Sequence, residues 1–131
     1  MNATMPTTEA TVAAVPKQVA DLRRRFEDGR TRSIGWRLRQ LDGVVRMIEA
    51  RQPEIEAALA EDLGKPAFEA FTTEVQFIKV EAEHARKKLR GWVRSTKVRA
   101  ALPVQPASAF IHKDPLGVVL IIAPWNYPFQ L

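Results

Sequence analysis

Pro115-Leu116-Gly117-Val118-Val119-Leu120-Ile121-Ile122-Ala123-Pro124-Trp125-Asn126-Tyr127-Pro128-Phe129-Gln130-Leu131 is the stretch whose reading decides the fold. It opens with a Pro-Leu-Gly turn and continues as an unbroken apolar run from Val118 to Ala123. A short, β-branched run without polar alternation predicts a strand buried on both faces, as in a parallel sheet covered by helices. Pro124 lacks the backbone donor that a central strand needs, so pairing is expected to end there. A rigid, aromatic loop follows, with Asn126 as the one polar side chain at its centre. In open α/β sheets, ligands gather outside the carboxyl ends of the strands, which is where this loop would lie.

Working back from that strand, Ala109-Phe110-Ile111-His112 reads as a second, short strand, and Pro103 and Pro106 close a helical region upstream. Val12, Val15, Val19, Leu22 and Phe26 recur on one helical face, with Pro16 placed for the first turn of the stable helix. Gly29 is suited to stop that helix, and Ser33 to cap the next, whose apolar face is Ile34, Leu38, Leu41, Val45 and Ile48. Gln52-Pro53 predicts a break, then a short helix carrying Ile55, Leu59 and Leu63. Pro66 is expected to start the longest helix, with Phe68, Phe71, Val75, Ile78, Ala82, Ala85, Leu89 and Trp92 as its seam. The order predicted is four helices, a short strand and one buried strand. Residues 1–15 would be a flexible amino terminus, 16–101 a helical part, and 102–131 the start of a sheet.

Composition narrows the class. The 131 residues are 46% hydrophobic and 27% charged, as in soluble globular proteins. No apolar stretch approaches the ~20 residues of a membrane helix. The amino terminus is not patterned as a secretory signal, which points to the cytoplasm. With no cysteine, disulfides, thiolate-bound zinc and iron–sulfur clusters are excluded within these residues.

The net charge of +5 raises a second reading, a non-catalytic basic helical module that binds nucleic acid or docks on a longer relative. Seven arginines fall between Arg23 and Arg39, and seven basic residues with no acid between Arg86 and Arg99. Most such runs are solvated helix faces, and the aromatic interleaving of single-strand binders is absent apart from Trp92. Glu81-Ala82-Glu83-His84 has the Glu-x-x-His spacing of di-iron bundles, but those sites need the motif on two helices. No metal is expected.

Taken in order along the chain, several landmarks resemble one family. They are Phe26-Glu27-Asp28-Gly29-Arg30-Thr31-Arg32, Arg39-Gln40-Leu41, Ala58-Leu59-Ala60-Glu61-Asp62-Leu63-Gly64-Lys65, Pro115 to Ile122, and Pro124-Trp125-Asn126-Tyr127-Pro128-Phe129. The chain resembles the amino-terminal part of the NAD(P)-dependent aldehyde dehydrogenases, in their class 3-like branch. The resemblance implies an α/β fold, with the Val118–Ala123 run as the first buried strand of a Rossmann-like cofactor domain. It also implies oxidation of aldehydes to carboxylic acids through a cysteine thiohemiacetal, with NAD or NADP and, in the complete enzyme, a homodimer.

The family's nucleophilic cysteine and general-base glutamate lie beyond Leu131. A fragment so cut is expected to be partly helical, exposed at its apolar strand and inactive. By resemblance, Asn126 is the side-chain donor to the oxyanion. A neutral carboxamide suits that task, because it offers N–H groups without a charge that would hold carboxylate product too tightly. The commoner use of such an Asn is to support a turn. Ile122, Ala123, Pro124 and Trp125 correspond to the nicotinamide-ribose side of the cofactor cleft, and Tyr127 to the aldehyde tunnel wall. Spacing alone would make them packing residues, and for Ile122 that reading is equally good. No Gly-x-Gly-x-x-Gly fingerprint independently marks dinucleotide binding.

Overall fold

Two long helices form the body of the described residues, because each carries an apolar stripe that the other helps to cover. The computed structural model describes residues 8–131. Helix α1 spans Thr8–Glu27, α2 spans Ile34–Leu63, and a third helical run comprises α3 (Ala67–Glu69), a wide π turn (Ala70–Val75) and α4 (Gln76–Trp92). Ion pairs join Glu49 to Lys79 at 2.7 Å and Asp42 to Arg86 at 2.8 Å, so α2 and α4 run antiparallel. Hydrogen bonding to Glu49 holds the Lys79 ammonium pKa above its ordinary value, and hydrogen bonding to Asp42 raises that of Arg86. Between the helices lie Ile48, Leu59, Ala70, Val75 and Ala82, all buried.

Four helical expectations need correction. The first helix starts before Pro16, which sits inside it; of the amino terminus taken as flexible, residues 1–7 lie outside the described residues. Pro53 does not break the second helix. A proline inside a helix costs about 3 kcal/mol through its missing donor and ring clash, but burial of Ile48 and Leu59 on either side outweighs it. Side-chain pairs Arg51–Glu54 at 2.6 Å and Gln52–Glu56 at 2.8 Å also span the proline. The longest helix is therefore α2, with 30 residues, and not the one after Pro66.

The third correction concerns the seam of that later helix. Thr72 and Thr73 donate back to the carbonyls of Phe68 and Glu69, each at 2.8 Å, in the manner that loosens and bends helices. The π turn here breaks the three-four stepping, and Phe68 stands 79% exposed instead of leading the core face. Last, the helical region ends at Trp92, well before residue 101. Thr96–Val98 forms strand β1, antiparallel to β2 (Ala109–Ile111), with Thr96 opposite Ile111 and Val98 opposite Ala109.

After β2 the chain turns at Gly117, whose φ of 106° suits a residue without a Cβ and lets the backbone pass the Phe26 ring. Residues 118–123 then run without a ladder partner among the described residues, and Leu120, Ile121 and Ile122 are exposed. A parallel-type strand has no hydrogen bonds of its own to make. Without neighbouring strands and covering helices, the run expected to be buried lies open.

Candidate active-site loop

The end of α2 and the π turn are what hold the loop after the apolar run. Gly64 stops α2 in the left-handed region at φ 65°, its N–H turning back to the Ala60 carbonyl at 3.0 Å. Pro66 starts the next helical run at once. Lys65, fixed between these two, reaches inward and pairs with the Glu74 carboxylate on the π turn. Glu74 is fully buried and the Lys65 side chain nearly so, at 0% and 9% exposed.

This ion pair meets the candidate loop at four points. The Lys65 ammonium donates to the Asn126 backbone carbonyl at 2.9 Å and lies 3.9 Å from the centre of the Tyr127 ring. The other Glu74 oxygen, Oε2, accepts the backbone N–H groups of Phe129 at 2.8 Å and Gln130 at 3.3 Å. Leu131 N–H donates to the Tyr127 carbonyl at 3.0 Å, closing one helical turn. Pro128 and Phe129 border a shallow cleft with Ile55, Ala58 and Leu59 of α2.

The residues singled out in the sequence fall into two groups. Asn126 and Tyr127 sit on the anchored part, with the Asn126 side chain exposed and the Tyr127 ring half-buried beside Lys65. Ile122, Ala123, Pro124 and Trp125 precede the anchor on the unpaired stretch; Trp125 is 83% exposed and Ala123 half-buried. The Asn126 carbonyl is thus held from behind while its carboxamide stays exposed. Among the described residues no cluster of three or more His, Asp or Glu is placed to hold a metal ion.

Lys65 and Glu74 were missed in the sequence, although a signal was present. Glu74 lies three residues after Phe71 and four before Ile78, on the apolar seam itself, and an acid there requires a buried partner. Parts of the basic clusters are meanwhile engaged within the chain. Arg86 pairs with Asp42, Arg24 with Asp21, and Arg37 donates to the Thr31 carbonyl at 2.6 Å.

A helical front, an unpaired apolar run and a loop anchored on a buried ion pair are what the described residues present. The family model described as the aldehyde dehydrogenase family matches residues 2–131, and the chain belongs to that family. It is 45% identical to aldehyde dehydrogenase family 3 member H1 of Arabidopsis thaliana, over 86% of this chain and 23% of that protein. It is 43% identical to family 3 member B1 of Mus musculus, over 87% of this chain and 24% of that protein. A solved structure of Staphylococcus aureus AldH in a substrate-bound state matches with a TM-score of 0.85 at 36% identity, covering 88% of this chain and 25% of that one. The chain spans about a quarter of the length of the curated relatives it matches. The class 3-like assignment and the incomplete α/β fold both stand on these matches.

Proposed function

We propose that residues 1–131 are the leading part of an NAD(P)-dependent aldehyde dehydrogenase, which turns an aldehyde into a carboxylic acid. The observation that carries this reading is the continuous family match through a loop whose backbone is fixed and whose Asn126 side chain is left open. Oxidation of an aldehyde through a thiol passes a tetrahedral oxyanion, which needs donors already aimed at it. Asn126 is the donor this chain contributes. Tyr127 forms one wall for the substrate, and its ring is steadied by the Lys65 ammonium.

Ile122, Ala123, Pro124 and Trp125 fit the nicotinamide and ribose of the cofactor. They offer an uncharged surface, with Ile122, Pro124 and Trp125 exposed and Ala123 half-buried, against which a flat ring can lie. The bound dinucleotide supplies the hydride acceptor. The nucleophilic cysteine comes from polypeptide outside these residues, which contain none. No helix among the described residues is long and apolar enough to cross a membrane; a cytoplasmic homodimer completes the reading.

The test compares two proteins. One is the 131-residue chain, and the other is the same residues joined to the remaining three-quarters of the Arabidopsis relative. With NAD or NADP and a long aliphatic or aromatic aldehyde, the joined protein is expected to turn over and the short chain to stay at background. Turnover by the short chain, or none by a folded joined protein, contradicts the proposal.

A further inference from the structure

We infer that Lys65 and Glu74 are positioning residues for the oxyanion loop, and that their buried ion pair sets the place of Asn126 from behind. The inference rests on the dehydrogenase reading for its catalytic meaning, but its geometry stands apart from that reading. One pair of side chains supplies a donor to the Asn126 carbonyl, a cation beside the Tyr127 ring, and an acceptor for the Phe129 and Gln130 amides. These contacts hold the loop at Asn126 itself and over the four residues that follow it. Sequence separations of 61 and 55 residues make each of them a tertiary tie, not a local turn.

Burial makes the arrangement informative. Taking two charges out of water costs more than their attraction reliably returns, so a buried ion pair is weak as a source of stability. An apolar pair of similar volume would pack the end of α2 against the π turn at least as well. It could not hold the loop, because an alkyl chain neither donates to the Asn126 carbonyl nor accepts from Phe129 and Gln130. The π turn belongs to the same device, since it carries Glu74 at full burial with one carboxylate oxygen on Lys65 and the other on the loop.

The test is the double variant Lys65→Met/Glu74→Leu, which removes both charges and keeps the volume. In the 131-residue chain it is expected to keep the parent's helix content and melting temperature. Exchange of the Phe129 and Gln130 amides should rise about ten- to hundredfold, the range for hydrogen bonds to a charged group, while α2 and α4 amides hold. In the protein extended to its relatives' length, kcat should fall on the order of 10²-fold, as for a misplaced catalytic group, with the KM for NAD(P) unchanged.

A pair that served packing alone would be replaced by Met and Leu without loss. Parent-like exchange at residues 129 and 130, or parent-like kcat, therefore overturns the inference. If the double variant does not fold, Glu74→Gln decides, because it keeps the shape and one acceptor oxygen. Its exchange at Phe129 must exceed the parent's, and parent-like exchange overturns the inference there too. Activity of Asn126→Ala in the extended protein separates the two readings. A mild effect would remove the oxyanion role, yet leave the anchoring of the loop to be judged on exchange alone.

Discussion

The α2–α4 body and the segment from Leu116 to Trp125 are both rich in large apolar side chains, yet one is a core and the other a surface. Ile48 is 1% exposed and Ile121 is 78% exposed. The difference lies in partners, not composition. Helices satisfy their own backbone groups and need only one neighbouring face to bury a stripe. A central strand needs neighbours at both edges and cover on both faces before any of its side chains leaves water. Two helices are therefore enough to build the first region, while the second has only its ends secured. Gly117 packs by Phe26, and the Lys65–Glu74 pair holds residues 126–130.

The contrast can be broken most forcefully where the two regions meet. Lys65→Met alone leaves Glu74 buried without its counter-charge, and unfolding free energy should fall by about 3–5 kcal/mol in denaturant titration. The same substitution placed in each region then sharpens the comparison. Ile48→Ala should cost about 2–5 kcal/mol from lost burial and the cavity left behind. Ile121→Ala in the 131-residue chain should change stability by no more than about 0.5 kcal/mol, as surface substitutions do. In the extended protein, where the strand gains its cover, Ile121→Ala is expected to approach the cost at Ile48. A large loss at Ile121 in the short chain would mean that the apolar run is already buried.

The smallest expected effect is electrostatic. The Asp21 carboxyl pKa lies below its ordinary value, chiefly through the hydrogen bond from Lys17 at 2.9 Å and then through the nearby charges of Lys17 and Arg24. A carboxylate depressed in the folded state supports folding above its unfolded pKa, and the support is lost as pH falls through the lower folded value. The site is exposed, so only a slight fraying of α1 is expected in that acid range, read by circular dichroism against Asp21→Asn. An equal response in the Asn variant would assign the fraying to other groups.

Much of this was legible in the sequence, and the misses have physical causes. The apolar faces that hold Ile48, Leu59, Val75 and Ala82 follow from three-four spacing, as does the Ser33 cap, whose hydroxyl accepts from Trp36 N–H at 3.3 Å. The break at Pro53 did not materialise, because local propensity yields to tertiary packing where Ile48 and Leu59 on either side are buried. Strand β1 was hidden by its length of three residues, although Thr96 and Val98 alternate around Lys97. The loop from Pro124 onward was legible from its prolines and its one polar centre. Its anchor was legible only as an acid, Glu74, on an apolar seam; the partner was not, since a pairing across nine residues of sequence through a π turn follows neither helical nor strand periodicity.

The most direct measurement of the central claim is steady-state turnover of Asn126→Ala in the protein extended to its relatives' length. Loss of one oxyanion donor should lower kcat by ~10²–10³-fold while NAD(P) affinity stays near the parent's. A kcat within a few-fold of the parent's would contradict the oxyanion role of Asn126.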